Sequence, residues 1–335
     1  MIDQFTKRLD ASFEKYLNEN KFSGILRVTC KDNILYQRIT GLENPYTGVP
    51  ISEKSRFTWY SLSKPFCAIG LMKLVEQGYI SLQDHPSVYL PEAASADKNI
   101  TIYHLLHHSS GLTDFCQHED YSMLCLTDMP LNLRELVKSL LDKPLQFVPG
   151  TSTQYANINF VLLALIIESA SKIPYRVFMK KEVFEPLGMA HAVVDSPGLN
   201  IPNRVTGNNL VEDILWPVKN TNMRLMLGAG DINGDIHDVY CLNHAIKKQL
   251  LLSAETWNEI LTPSPINDFG CGCSITMWHG KKRITHSGGH IGFRNLHIQL
   301  PEDDFDIILL SNCGTVDARD PLSEAVYEAY YGTEK

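Results

Sequence analysis

The sequence predicts an α/β protein in which an antiparallel sheet flanked by helices carries an inserted helical lobe. Three observations lead to this fold class: strand-like segments near the amino terminus, a helical middle, and alternating strands in the last third. Sheet segments at both ends of one chain must bury their apolar faces, so we expect them to close together around the helical insertion. The 335 residues suffice for a single domain, with an α/β lobe at about 1–60 and 220–335 and a helical lobe at about 61–219.

Hydrophobic periodicity predicts the individual elements. Over residues 2–19 apolar side chains recur every three or four positions, which predicts an amphipathic helix. Two strands follow, joined by the polar turn Lys31-Asp32-Asn33, and a second helix runs through Lys64 to about Gly78. The same reasoning predicts helices after 99–101 and over 132–141 and 157–171, strands over 24–29, 34–39, 270–277, 282–286, 294–300 and 306–310, and a last helix from Pro321.

Composition and charge exclude some classes of partner. The formal net charge of -8 and the pI near 5.8 argue against a nucleic-acid partner, because phosphate binding requires a basic face. The longest strongly apolar stretch, 160–167, is too short to span a bilayer, so we expect no membrane partner. The sequence does not indicate an oligomeric state.

The compartment is predicted from the amino terminus and the cysteines. Residues 1–7 lack the basic start and apolar run of a signal peptide, and the eight cysteines are scattered along the chain. Scattered cysteines in a chain of this size are typical of free thiols in a reducing compartment. We therefore expect a cytoplasmic protein, with a processed exported form as the alternative.

The first candidate motif is Ser61-Leu62-Ser63-Lys64, at the start of a predicted helix. Residues three apart on a helix share a face, so the Ser61 hydroxyl and the Lys64 amine can come within hydrogen-bonding reach. A lysine acts as a base only if burial or nearby cations lower its pKa. Taken alone, the motif is also typical of a helix cap followed by a surface lysine.

The second motif is Tyr155-Ala156-Asn157, after Pro149-Gly150 and before a helix with a buried composition. Side chains two residues apart on a loop can point into one cleft. The phenol can transfer a proton, and the amide can hold a substrate carbonyl or amine. The alternative is a packed tyrosine with an asparagine at a helix cap.

The third motif is His286-Ser287-Gly288-Gly289, at the end of a predicted strand. Small residues on a strand allow a substrate backbone to lie close alongside it. The backbone N–H groups of Ser61 and Gly289 are the candidate donors of an oxyanion hole. The alternative is a glycine-rich bulge beside a core histidine.

The three motifs in this order resemble the serine β-lactamase and penicillin-binding-protein superfamily, especially its class C β-lactamase and esterase branch. Other landmarks of the family match at 74–84, 102–112, 149–150 and 186–189, so the resemblance covers about Gly24 to Ser311. It implies a β-lactamase/transpeptidase-like fold, a single β-lactamase-related catalytic domain and no cofactor. It also implies Ser61, Lys64 and Tyr155 as catalytic residues and Asn157, His286, Ser287 and Gly288 as substrate-binding residues.

The predicted activity is that of a serine hydrolase acting through an acyl-enzyme on a small ester or amide, as an esterase or D-amino-acid peptidase. The resemblance places lysine at the position of His286 in β-lactamases and transpeptidases, and 228–231 matches its landmark only approximately. A histidine with a pKa of about 6.5 is mostly neutral at pH 7 and recognises carboxylates less well. The alternatives are a β-lactamase or DD-peptidase and, in another class, a catalytically silent ligand-binding protein.

A metal site is a further alternative for the histidine-rich segment. His104, His107 and His108 form a dense cluster, with His118 beyond, and spacing of three or four on a helix can suit zinc. No acidic partner follows a recognisable pattern, and one of these histidines matches a structural landmark of the family. We therefore predict packing roles for them and no metal.

Overall fold

The chain has helices and strands towards both ends and mostly helices between them. The structure, a computed structural model, describes residues 2–19, 22–118, 120–126 and 131–332. Its α-helices in this part of the chain are α1 Ile2–Glu19, α2 Lys64–Glu76, α3 Ile102–Leu106, α4 Tyr121–Leu126, α5 Leu133–Leu141, α6 Asn157–Ser171, α7 Tyr175–Met179, α8 Ile236–Lys248, α9 Ala254–Ile260 and α10 Arg319–Tyr331.

The strands are concentrated before residue 60 and after residue 190. In chain order they are β1 Gly24–Cys30, β2 Asn33–Thr40, β3 Leu42–Asn44, β4 Val49–Pro50, β5 Phe57–Thr58, β6 Val193–Val194, β7 Asn208–Val211, β8 Ile214–Pro217, β9 Ile232–Gly234, β10 Ser274–Trp278, β11 Lys281–His290, β12 Phe293–Leu300 and β13 Phe305–Ser311.

Six strands form one antiparallel sheet in the spatial order β10-β11-β12-β13-β1-β2. Strand β1 pairs with β13 along its whole length, from Gly24 opposite Ser311 to Cys30 opposite Phe305. The predicted closure of the two ends of the chain into one sheet is therefore confirmed. The fold is an antiparallel sheet flanked by helices, as the sequence predicted.

Helices α1 and α10 cover one face of this sheet. Leu9 and Phe13 of α1 and Leu322 and Val326 of α10 are buried in one cluster with sheet residues such as Leu309. The spacing of three or four residues in each helix puts these side chains on one stripe. Burying each contributes about 1.5–3 kcal/mol, which fixes both terminal helices to the sheet.

Helices α2 and α6 form the centre of the second core. In α6 the ten residues from Ile158 to Ile167 are all buried, and in α2 the nine residues from Lys64 to Met72 are. A helix that is apolar on all sides lies inside a protein. The burial of α2 therefore carries Lys64, at its first position, into the interior.

Two consecutive helical segments match a membrane span in length and composition only when they are taken together. No single helix in the described ranges is long and apolar enough to cross a bilayer. The segments Asn157–Ser171 and Tyr175–Phe184 pass by length and composition as a pair bent by 83°.

The predicted helices over 2–19 and 157–171 are confirmed at both ends, but the strand predicted over 270–277 begins only at Ser274. The residues before it form a turn, in which Gly272 has a φ of +79° and a Cβ there would lie 2.9 Å from the Lys64 carbonyl oxygen. Cys271 and Cys273 therefore belong to a turn packed against the start of α2, and their placement within a strand was wrong. The boundaries of the two lobes stay a prediction.

Candidate active site

Ser61 lies in a short 3₁₀ turn, Tyr60–Ser63, directly ahead of α2 and not in the α-helix itself. Tyr60 has a φ of +49°, a left-handed conformation that costs a residue with a side chain about 1 kcal/mol. The turn is held by buried Trp59, whose Nε1–H donates to the Gly234 carbonyl at 3.1 Å. The strain is thus maintained by β9, and Ser61 faces a cavity of about 260 Å³.

The Lys64 amine is completely buried and lies between three oxygen acceptors. Nζ is 3.0 Å from Ser61 Oγ, 2.9 Å from Asn157 Oδ1 and 2.7 Å from the Ala229 carbonyl oxygen. Burial lowers the pKa of Lys64 to about 7, against the opposing charge of Asp114. Near neutral pH a large fraction of this amine is unprotonated and can accept the Ser61 proton.

Tyr155 completes a triangle with the serine and the lysine. Its ring centroid is 4.8 Å from Lys64 Nζ, and it lines the same cavity as Ser61. The residue keeps 38% exposure at the cleft, yet burial of its phenol raises the pKa above the ordinary value, and the charge of Asp114 raises it further. The phenol therefore keeps its proton at neutral pH and can donate it.

His108 positions Tyr155 from behind. The two rings lie 4.4 Å apart between centroids, and His108 Nδ1 accepts the Ala156 N–H at 3.2 Å. The His108 carbonyl accepts the Gln154 N–H at 3.0 Å, so the loop is fixed on both sides of Tyr155. Burial lowers the pKa of His108 well below its usual range, which keeps the imidazole neutral with its proton on Nε2. The sequence analysis gave this residue only a packing role.

Asn157 is the first residue of α6 and not a loop residue. Its Nδ2 donates to Asp114 Oδ2 at 3.0 Å, while its Oδ1 faces Lys64. Asp114 Oδ1 also accepts the N–H of Ile158 at 3.0 Å, so this buried carboxylate fixes the amide orientation. Asp114 was missed by sequence reasoning, because a lone acidic residue 43 positions from its partner carries no local signal.

Strand β11 runs directly against the turn that carries Ser61. A Cβ on Gly288 would lie 1.9 Å from the Trp59 carbonyl oxygen and 2.8 Å from the Leu62 nitrogen. Glycine at 288 therefore has a steric reason: it lets the strand approach the turn closely enough for Gly289 and Ser61 to line the same cavity.

Replacing Gly288 with alanine is expected to destabilise the protein by about 3 kcal/mol or more, because the added methyl meets backbone that cannot move aside cheaply. Differential scanning calorimetry should show a Tm lower by several degrees. In the matched Gly289→Ala variant the nearest atom, at 3.2 Å, belongs to the flexible Arg294 side chain, so the fall in Tm should be much smaller. Equal losses of Tm in the two variants would contradict the close approach.

His286 is buried beside the cleft and is uncharged. Burial lowers its pKa to about 3, and the positive charge of Lys64 lowers it as well. Its Nδ1 lies 2.6 Å from the Ser287 carbonyl oxygen, which makes Nδ1 the protonated nitrogen. Nε2 is buried and has no hydrogen-bond partner among the described residues, so it is an unpaired acceptor and not a cation.

Two cavities meet at Tyr155. The first, of about 260 Å³, is lined by Ser61, Asn157 and Gly289, and the second, of about 370 Å³, by His286 and Ser287. The structure thus brings Ser61, Lys64, Tyr155 and Asn157 into one cluster, with Gly289 across the first cavity. His286 and Ser287 lie on the far side of the phenol, and Gly288 packs against the turn that carries Ser61.

One group of residues in the described ranges could hold a metal ion. The ligand atoms of His191, Asp235 and Asp238 lie within 4.8 Å of one another. The two carboxylates are already engaged, because Asp235 and Asp238 form the capping box at the start of α8, and His191 Nδ1 lies 2.6 Å from Asp235 Oδ2. These contacts explain why the three side chains lie together: they belong to the cap at the start of helix α8. His104 likewise completes the capping box of α3, with Thr101.

The fold and the Ser-x-x-Lys cleft define a serine hydrolase. The chain belongs to the Beta-lactamase family, whose protein-family model matches residues 9–329. The resemblance drawn from the three motifs is therefore confirmed.

Known proteins of several activities are similar to this chain. A penicillin-binding protein of Bacillus subtilis (strain 168) is 29% identical over 331 residues, which cover 91% of this chain and 71% of that protein. Esterase EstB of Burkholderia gladioli is 31% identical over 195 residues, or 54% of this chain and 50% of the esterase. A D-stereospecific amidohydrolase from Streptomyces sp. shares the fold, with a TM-score of 0.82 at 20% identity over 98% of this chain and 99% of that one.

Proposed function

We propose that this chain hydrolyses small esters or amides through an acyl-enzyme formed on Ser61. The observation that carries the proposal is the buried Lys64 amine, 3.0 Å from Ser61 Oγ, with its pKa lowered to about 7. A lysine with an ordinary pKa would be protonated at neutral pH and could not accept a proton.

In the proposed acylation, Lys64 takes the proton of Ser61 as Oγ forms a bond to the substrate carbonyl carbon. The oxyanion is stabilised by the N–H groups of Ser61 and Gly289. When the intermediate collapses, the bond to the leaving alkoxide or amine breaks and Tyr155 donates the proton that the leaving group needs. Lys64 then returns a proton to Tyr155. A water hydrolyses the acyl-enzyme by the same transfers in reverse.

The uncharged state of His286 favours esters and simple amides over carboxylated substrates. Arg283 and Arg319 line the second cavity, which is the observation that favours the second candidate, a β-lactamase or DD-peptidase. Arg319 is paired with Asp317, whereas Arg283 donates only its Nε–H to the neutral Thr276 Oγ1, at 3.0 Å, and keeps its positive charge. The names of the esterase and the amidohydrolase above support the first candidate, and that of the penicillin-binding protein supports the second.

A substrate panel tests this choice. With p-nitrophenyl acetate, D-alanine p-nitroanilide and nitrocefin, we expect turnover of the ester or the anilide. We expect kcat/KM for nitrocefin to be about 100-fold lower than for the better of the ester and the anilide. The reason is that the carboxylate of nitrocefin meets no cation at His286. Turnover of nitrocefin that equals or exceeds the others would favour the second candidate. Absence of turnover together with absence of labelling by a fluorophosphonate would favour a silent binding protein.

A further inference from the structure

The first cavity has an aromatic wall, formed by Tyr121 and His290. Tyr121, on α4, reaches across to His290, the last residue of β11, and its hydroxyl lies 2.8 Å from His290 Nε2. The two rings are nearly parallel, with 9° between their planes and 6.2 Å between centroids. The Tyr121 side chain, from α4, is thus hydrogen-bonded to the end of β11, the strand that carries Gly289.

Both members of this pair are held in place by further rings. Buried Tyr60 packs on His290 with 5.4 Å between centroids, and Phe115 stacks on Tyr121 at 6.1 Å. Burial raises the pKa of Tyr121 and lowers that of His290, so both are neutral at pH 7. The contact is therefore a hydrogen bond between two neutral groups, the phenol and the imidazole Nε2.

The acyl part of a substrate belongs in this first cavity. The two oxyanion donors, Ser61 and Gly289, line it, whereas Tyr155, the proton donor to the leaving group, stands between it and the second cavity. The leaving group therefore departs towards His286, and the acyl group extends towards Tyr121 and His290.

We propose that the Tyr121–His290 pair closes the end of the acyl subsite and restricts this enzyme to short acyl groups. The inference rests on the proposed function. The cavity of about 260 Å³ lies below the usual range of about 300–1,000 Å³ for small-molecule sites. Beside the pair, the wall includes Tyr60, Cys116 and Met226, which offer no charge. Burial and the negative charge of Asp114 raise the pKa of the Cys116 thiol to about 12, so it too stays neutral.

A series of p-nitrophenyl esters with acyl chains of two, four and eight carbons tests this subsite. In the wild type we expect kcat/KM to fall steeply between four and eight carbons. In Tyr121→Ala the ratio of kcat/KM for the eight-carbon ester to that for the two-carbon ester should rise at least about tenfold, because the wall is removed. His290→Ala provides a second route to the same opening if the first variant does not fold, and it should raise the ratio likewise.

The control variant is Tyr79→Ala, which removes a tyrosine 62% exposed outside the cavity and should leave the ratio unchanged. Suppose that a folded Tyr121→Ala or His290→Ala protein is still labelled by a fluorophosphonate but keeps the wild-type ratio of kcat/KM values. The inference about the acyl subsite would then be wrong, and the proposed function would stand. A wild type that hydrolyses no ester and takes no label would overturn the proposed function, and the two failures are therefore distinguishable.

Discussion

Replacing Ser61 with alanine is expected to abolish turnover of every substrate, with kcat falling by about 10⁴-fold or more, and to abolish labelling by a fluorophosphonate. The acyl-enzyme requires an oxygen at this position, and among the residues that the structure describes only the Ser61 hydroxyl is hydrogen-bonded to the Lys64 amine, at 3.0 Å. Rapid-quench experiments with an ester and intact-protein mass spectrometry should show the acyl adduct on the wild type and none on the variant.

Ser63→Ala is the matched control for this experiment. Ser63 lies two residues away in the same turn, but its Oγ accepts the Ile232 N–H at 3.0 Å inside the core. Its loss leaves a buried N–H without a partner and should cost about 1–3 kcal/mol of stability, while labelling of Ser61 persists. If Ser61→Ala retained the adduct, or if Ser63→Ala lost it while folded, the nucleophile would be misassigned.

Replacing Lys64 with methionine is expected to lower kcat/KM by about 10³-fold, within the usual range for loss of a general base. Methionine fills much of the same space but cannot accept the Ser61 proton. Lys64→Arg should fail as well, because a guanidinium stays protonated at neutral pH. Circular dichroism should show both variants folded. For Lys64→Met the Tm should be kept or raised, since a buried amine costs free energy whenever it is protonated.

The pH dependence of kcat/KM tests the role of Lys64 as the base most directly. Burial lowers the Lys64 pKa from 10.5 to about 7, so the competent, unprotonated amine is lost as the pH falls through about 7. In the wild type, kcat/KM should therefore fall about tenfold per pH unit below 7 and reach a plateau above it. In Lys64→Met this dependence should disappear.

Lys73→Met is the matched control on the same helix. Lys73 pairs with Glu182 Oε2 at 2.8 Å near the surface of the molecule, and such a pair contributes about 1 kcal/mol or less. Activity and the pH profile should match those of the wild type. A wild-type profile without an inflection near pH 7, or a fully active Lys64→Met variant, would remove Lys64 from the role of base.

Much of the fold could be predicted from periodicity, because each element buries its own apolar residues on a regular spacing. Helix α6 and the four strands of the last third were found in this way. The start of β10 was not, because Gly272 approaches α2, which lies about 200 positions earlier in the chain. No local pattern records a contact at that separation.

The motifs likewise predicted which groups meet but not how they are held. Asp114 orients Asn157, and His108 supports Tyr155, through contacts between residues 43 and 47 positions apart. The Tyr121–His290 contact spans 169 positions and had no signal in the sequence. Each of these residues is ordinary in its own segment and gains its role from the partner.

The sequence by itself determined the order of the elements, the three motifs and the spacing that puts a hydroxyl and an amine on one side of a helical turn. Only the tertiary structure decided the chemical state of those groups. The pKa of Lys64 depends on removal of water by its neighbours, among them Phe160 of α6, whose ring centroid is 5.6 Å from Nζ, and the neutrality of His286 depends on its burial. Desolvation is set by everything packed around a group, and those neighbours come from distant parts of the chain.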